Sequence, residues 1–468
     1  MQIYDVFIMY FYFLLLLLFF NTIDYAYSLY NLFIPKSELM VKYYFLISTL
    51  FFLSGATTAQ VSLNMNLLDQ WHPTGLSYND VWGYADAAGN EYAIVGSYSK
   101  IHFLQITNSN TLTLIDEFTP GSTSIWRDFK TYGNYAYAVT EGTEGLLVYD
   151  LSDLPNSVTL SSQNTNEFTK AHNIYIDEAN GKLYVVGSNT QNNGLIIYDV
   201  TTNPPTHLAS VALPAGGYVH DIYVRGDTAY CSHGYNGFYI WDVSTPSSPS
   251  FLASYTGEAG YNHSSWVSPD GNTAYYAREV GVGLPMTILD LSDYNDLSVI
   301  SNFKFPLLAP TYVDNVPHNP YLLGDYLISS YYEDGVQVFE VSDPTNVSRV
   351  AYYDTYPSNT QYNGYHGCWG VYPYLPSGKI LASDGSNGLF LLELTINLPL
   401  PVEFSSFDVK IKKEGIQLTW TTETEKDNDF FEIEKSKDGE HFFSIKKITG
   451  RGNSTTTQHY NFLDKNPI

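Results

Sequence analysis

From about residue 90 onward, the apolar residues of this chain come in short blocks separated by glycine and polar turns. One block recurs in almost the same words. It reads KIHFLQITN (100–108), GLLVYDLSD (145–153), GLIIYDVTT (194–202) and GFYIWDVST (237–245), then PMTILDLSD (285–293), GVQVFEVSD (335–343) and GLFLLELTI (388–396). Its polar punctuation falls at Gln105, Asp150, Asp199, Asp242, Asp290, Glu340 and Glu393, so the repeat is 43 to 53 residues long. Runs of five apolar residues bounded by turn residues predict buried strands. Two further strands precede each block and one follows it, such as FLASYTGEAG (251–260). Four short antiparallel strands per unit at this period predict the blades of a β-propeller, which stack because one small sheet cannot cover both its faces.

The ends of the repeat array predict how the ring closes. The seventh unit (365–396) has three strands and then runs into Pro399 and Pro401, whereas NLLDQWHPTG (66–75) reads as a fourth strand with no unit ahead of it. The expectation is an all-β, seven-bladed propeller over residues 60–398, in which the N-terminal strand completes the last blade and removes two open sheet edges.

Two apolar stretches precede the array. The block at 40–59, MVKYYFLISTLFFLSGATTA, has a basic flank at Lys42, an apolar centre and a small-residue cleavage site, which predicts an export signal starting at Met40. Residues 1–39 are then an over-extended start; the apolar run at 8–20, 13 residues long, is short for a bilayer span. The expected product is secreted or held at the outer cell surface, and is not an integral membrane protein once the signal is removed. After the array, residues 399–468 alternate apolar and polar positions with turns at 413–415 and 437–439, which predicts a small β-sandwich module.

Composition narrows the partners. Acids outnumber bases 48 to 22, for a net charge of −26, so a nucleic-acid partner is excluded on charge. The two cysteines, Cys231 and Cys368, fall in different repeats and read as buried thiols without a disulfide.

The tandem LLVYD, LIIYD and FYIWD strands resemble LVIVD repeats, and the layout of residues 61–398 resembles the secreted choice-of-anchor B proteins. That resemblance implies an extracellular propeller carrying a C-terminal anchoring module and brings no settled activity. The tail, from Leu-Pro-Val-Glu through Ser-Lys-Asp-Gly-Glu-His-Phe, is similar to the fibronectin-like module of type IX secretion substrates. It stops at Ile468 without the last strands of such a module, so it reads as incomplete.

The candidate chemistry lies where each first strand opens. The paired residues there are Asn79-Asp80, Arg127-Asp128, His172-Asn173, His220-Asp221, His263-Ser264, His318-Asn319 and His366-Gly367. Five of the eleven histidines thus take one repeat position, which in a propeller rings one mouth of the central channel. The loops between second and third strands bring Glu141, Glu144, His233, Arg278, Glu279, Glu333 and Asp384 to the same face, with Arg127 from the first strand. In one reading each histidine bonds a backbone carbonyl or the neighbouring blade and fixes the scaffold. In the other, imidazoles and carboxylates bind a divalent metal, an anion or a sugar. The sequence carries no HExxH, paired CxxC or ordered GxSxG triad. The expected function is therefore a monomeric binding scaffold for an extracellular glycan, peptide or protein, with no cofactor assigned beyond a possible divalent metal. The alternatives are a metal-assisted hydrolase or lyase at the same mouth, and a structural adhesion protein. Acids ending the third strands read as turn caps rather than calcium ligands. Tyr356, Tyr362 and Tyr365 are candidates for a stacking platform.

Overall fold

The computed structural model describes residues 62–308, 312–396, 402–436, 442–454 and 458–467; the expected export signal and the over-extended start lie outside them. No helix occurs among the described residues, and so none long and apolar enough to cross a membrane. Residues 65–394 form seven successive antiparallel sheets, each built on four strands. The second is typical, with strands Arg127–Tyr132, Tyr135–Thr140, Leu146–Asp150 and Thr159–Asn164 in simple up-and-down order. These are blade-like sheets, and the chain is a β-propeller-type repeat protein.

The apolar blocks form strands buried on both faces. In Leu146–Asp150, Leu146 and Val148 join one hydrophobic cluster, while Leu147 and Tyr149 join another on the opposite face. In Gly194–Asp199 the same alternation sends Ile196 and Tyr198 one way and Leu195 and Ile197 the other. Period-two side-chain direction between two packed neighbours is what turns an alternating surface strand into a continuous apolar run. Outer strands such as Thr159–Asn164 are mostly exposed and correspondingly polar. The punctuating acids cap turns: Asp150, Asp199, Asp242 and Asp290 each accept from the backbone N–H two residues on, at 2.8–2.9 Å. Both cysteines are buried free thiols.

The seventh sheet holds Cys368–Tyr372, Ile380–Asp384 and Gly388–Leu394 and takes its outer strand from Met65–Trp71, with Met65 opposite Leu394 and Trp71 opposite Leu389. Ser62–Leu63, just upstream, adds instead to the sixth sheet, with Ser62 opposite Tyr353. Gly388, at φ 95°, shows why the third strands open with glycine: a Cβ there would lie 2.4 Å from the Trp71 carbonyl oxygen. The first strands of the first six sheets pack side by side in chain order. Cys368–Tyr372 then packs against Tyr326–Ser330 of the sixth sheet and Tyr78–Ala85 of the first.

The strands Val402–Lys412, Gly415–Ser436, Phe442–Ser454 and Gln458–Asp464 form one further antiparallel sheet, with Gly415–Ser436 pairing all three others.

Candidate functional site

Where a first strand begins, its leading residue is lifted out of the ladder. His172, His220 and His318 sit just before the paired strand, and each donates its backbone N–H to the second strand of its own sheet, at Val186, Ser232 and Ser330. His263 occupies a β-bulge, because Asn262 pairs with Arg278 and Ser264 with Ala277. The four imidazoles, freed from sheet packing, stack edge to tilted edge across four sheets. Their ring centroids are 4.2 Å apart for His172–His220, 4.3 Å for His220–His263 and 4.1 Å for His263–His318.

This ladder lines a cavity of about 70 Å³ together with Asp80, Trp126, Arg127, Asp128, Glu279 and Trp369. That is several times the roughly 10–15 Å³ a cavity needs to admit one water. Two more cavities continue along the first strands. A narrow one of about 30 Å³ includes Asp128, Lys130, Asp221 and Asn319, and one of about 480 Å³ at the far end is lined by Trp82, Tyr175, Trp266, Tyr372 and Tyr374. Shared residues link them in series: Asp128, Asn173 and Asn319 between the first two, Lys130, Tyr175 and Trp266 between the last two. The far end thus holds the roomiest and most aromatic of the three.

Hydrogen bonds fix the imidazoles. His220 Nδ1 lies 2.9 Å from the carbonyl oxygen of His263, and His318 Nδ1 lies 2.5 Å from that of Trp369, each on the next sheet. A carbonyl only accepts, so both Nδ1 atoms carry the proton and both Nε2 atoms are left as acceptors. Burial holds all three inner imidazoles neutral: it pushes His318 down to about 3, and it drives His220 and His263 well below the usual range, helped by the neighbouring imidazoles. His172 differs, since its Nδ1 meets the Glu141 carboxylate at 2.6 Å.

The acids are displaced the other way. Burial pushes Asp221 up to about 7. Asp80 rises well above the carboxylate range through burial and the adjacent Asp128 carboxylate, although the Lys130 ammonium opposes this. Glu279 is raised by burial, and its Oε1 accepts from the Tyr332 hydroxyl at 2.6 Å. Four buried polar atoms of the residues lining this cavity have no hydrogen-bond partner: Asp80 Oδ2, Arg127 Nη1, Asn173 Oδ1 and His263 Nδ1. The other guanidinium nitrogens of Arg127 donate to the Ser97, Tyr98 and Ser122 carbonyls.

Of the expected site residues, Arg127, His172, His220, His263, Glu279 and His318 meet at this mouth, with Glu141 behind His172. The others do not. His366 is exposed and stacks on Tyr356, because a bulge between Cys368 and Gly370 puts Trp369 at the position it was expected to take. Arg278 is buried between Glu258, the Ala259 carbonyl and Asn302. His233 packs on Tyr239 with Nδ1 3.3 Å from the Gly217 carbonyl. Glu333 accepts from the Asn363 N–H, and Asp384 caps its own turn at Ser386 and Asn387 while accepting from Thr355. The tyrosine platform is dispersed too: Tyr362 donates to Asp334 and accepts from two backbone N–H groups, whereas Tyr365 lies edge-on to Tyr332. Missed were Trp369, whose bulge leaves no sequence signal, and Asp80, Asp128, Asn173 and Asn319, which stand beside the leading residues as their dipeptide partners.

Comparison with known families bears on the repeat itself. The LVIVD repeat family matches residues 126–165 and 216–257. The chain carries LVIVD repeats. The first match covers the second sheet, Arg127 to Asn164, and the other covers the fourth, Asp221 to Tyr255, so one LVIVD repeat corresponds to one four-stranded sheet. Each match also holds an LVIVD core strand, LLVYD and FYIWD, and the second begins just ahead of His220. No curated protein matches the chain.

Proposed function

We propose that the protein is an exported seven-bladed β-propeller, sealed by Met65–Trp71, that binds a small oxygen-rich ligand at the His-lined mouth of its channel. The observation that carries this reading is the ladder of four imidazoles from four successive sheets around one small cavity. Supporting it, Arg127 Nη1 offers a donor there, while the carboxyl oxygens of Asp80 and Glu279 and the Nε2 atoms of His220 and His318 offer acceptors. A mouth with both kinds of group, mostly desolvated, suits hydroxyls and carboxylates of a sugar, a sugar acid or a peptide end better than an apolar ligand.

The resemblance to choice-of-anchor B proteins, together with the leader at 40–59, supports a location outside the cell. On the same reading, the sheet from Val402 to Asp464 is part of a fibronectin-like anchoring module.

A calorimetric screen of the full chain against neutral sugars, uronic acids and short peptides tests the reading. The expected result is a ligand whose affinity falls tenfold or more in His220→Ala while far-UV circular dichroism stays unchanged. A ligand bound equally by wild type, His220→Ala and Arg127→Met places binding elsewhere and ends the proposal.

A further inference from the structure

Three groups able to ligate a metal converge at one end of the imidazole ladder. His263 Nε2 is 3.7 Å from Glu279 Oε2, His318 Nε2 is 4.0 Å from Glu279 Oε1, and the three groups can be placed with all ligand atoms within 4.8 Å of one another. None of these separations is a hydrogen bond. His318 Nε2 is an acceptor, because its Nδ1 proton is committed to the Trp369 carbonyl. The residues are buried or nearly so, with His318 only 2% exposed. His318 Nε2 and the Glu279 carboxylate are thus two acceptors facing one another, an arrangement that a cation between them relieves.

We infer that His263 Nε2, His318 Nε2 and the Glu279 carboxylate bind one divalent first-row transition-metal ion at the channel mouth. The spacing suits it. Metal–nitrogen and metal–oxygen bonds of about 2.0–2.2 Å at tetrahedral angles put ligand atoms about 3.4 Å apart; the two nitrogen–oxygen distances of 3.7 and 4.0 Å lie close to this, and the set, spread over no more than 4.8 Å, closes by side-chain movement of about 1 Å on binding. Two imidazoles and one carboxylate favour zinc, cobalt or nickel over calcium and magnesium, which take six or more oxygens. The supporting shell is of the expected kind. The Trp369 carbonyl fixes the tautomer of His318, and the Tyr332 hydroxyl orients Glu279. The three ligands leave at least one coordination position, which opens on the cavity of about 70 Å³. An oxygen of the mouth's ligand can take that position; the inference rests on the mouth reading to that extent.

The test uses the full chain, stripped with chelator, dialysed and titrated with Co²⁺ and Zn²⁺. The expected result is one equivalent of tight uptake by elemental analysis, visible Co²⁺ bands of four- or five-coordinate intensity, and loss of both in Glu279→Gln and His318→Asn. Tyr332→Phe, which keeps the three ligands, is expected to weaken uptake about tenfold, in the range found for outer-shell partners. It also guards against ligand variants that fail to fold. No stoichiometric uptake by wild type overturns the inference, as does uptake unchanged in Glu279→Gln and Tyr332→Phe. If the sugar or peptide ligand binds while the wild type takes up no metal, the metal falls and the mouth reading stands. If metal binds but no ligand does, the mouth reading falls alone.

Discussion

Glu91 grips Ser377 with both carboxylate oxygens, taking the backbone N–H at 2.6 Å and the hydroxyl at 2.7 Å. The two residues are 286 apart in the chain, Glu91 on the first sheet and Ser377 in the turn between two strands of the seventh, so this contact ties the start of the repeat array to its end. Charge-assisted hydrogen bonds to a buried carboxylate contribute about 1.5–3 kcal/mol. Glu91→Ala is expected to lower stability by about 2 kcal/mol in urea unfolding. A change within about 0.5 kcal/mol, the usual range for a surface site, contradicts the pairing.

Gly388 and Gly378 separate two costs of adding a side chain. Both have positive φ, but a Cβ at Gly378 meets open space and one at Gly388 meets the Trp71 carbonyl oxygen. Gly378→Ala is expected to cost about 1–2 kcal/mol from backbone strain alone. Gly388→Ala adds overpacking of about 1–3 kcal/mol and loosens Met65–Trp71, seen as faster amide exchange along that strand. Equal effects at the two sites argue against the seam as described.

Asp221 makes stability depend on pH in a calculable direction. Its folded value is about 7, raised by burial, against 3.8 for the free side chain. Above pH 7 the native state holds a desolvated charge that the unfolded state does not, and stability is reduced in full. As pH falls from 7 toward 4 the native acid takes its proton first and that destabilisation is progressively relieved. Asp221→Asn is therefore expected to raise the urea midpoint more at pH 8 than at pH 5. The opposite order contradicts the shift.

Arg278 and His366 serve as controls for the mouth. Arg278→Met breaks contacts to Glu258, Ala259 and Asn302 and is expected to cost about 3 kcal/mol, the low end for breaking a buried ion pair. His366→Ala, at an exposed position, is expected to cost under about 0.5 kcal/mol. Neither is expected to change binding at the mouth by more than twofold, measured by the same calorimetry.

The fold was readable because its strands are buried on two faces. Leu146 to Asp150 must be apolar at every position but the last, and the acid that ends the run caps the next turn, so the third strand of each sheet is visible by eye. The partner of Gly388–Leu394 could be read because Met65–Trp71 was a strand with no sheet of its own. The site was half readable. His172, His220, His263 and His318 stand at equal places in the repeat, but a bulge shifts the seventh sheet and replaces His366 with Trp369. Arg278 and Glu279 are adjacent in sequence, yet they leave the strand end in different directions, one into the packing between sheets and the other to the channel. Tyr175, Trp266, Tyr372 and Tyr374 carry no mark that separates a channel lining from ordinary core.

Gln70 donates to the Asn387 carbonyl across 317 residues of chain, within the strand pair formed by Met65–Trp71 and Gly388–Leu394. Such a join cannot form until the last repeat has left the ribosome, and until then its N-terminal half has nothing to zip onto. Among the strand pairings of the described residues it spans one of the longest stretches of chain, so its loop-closure entropy is among the largest that folding must offset.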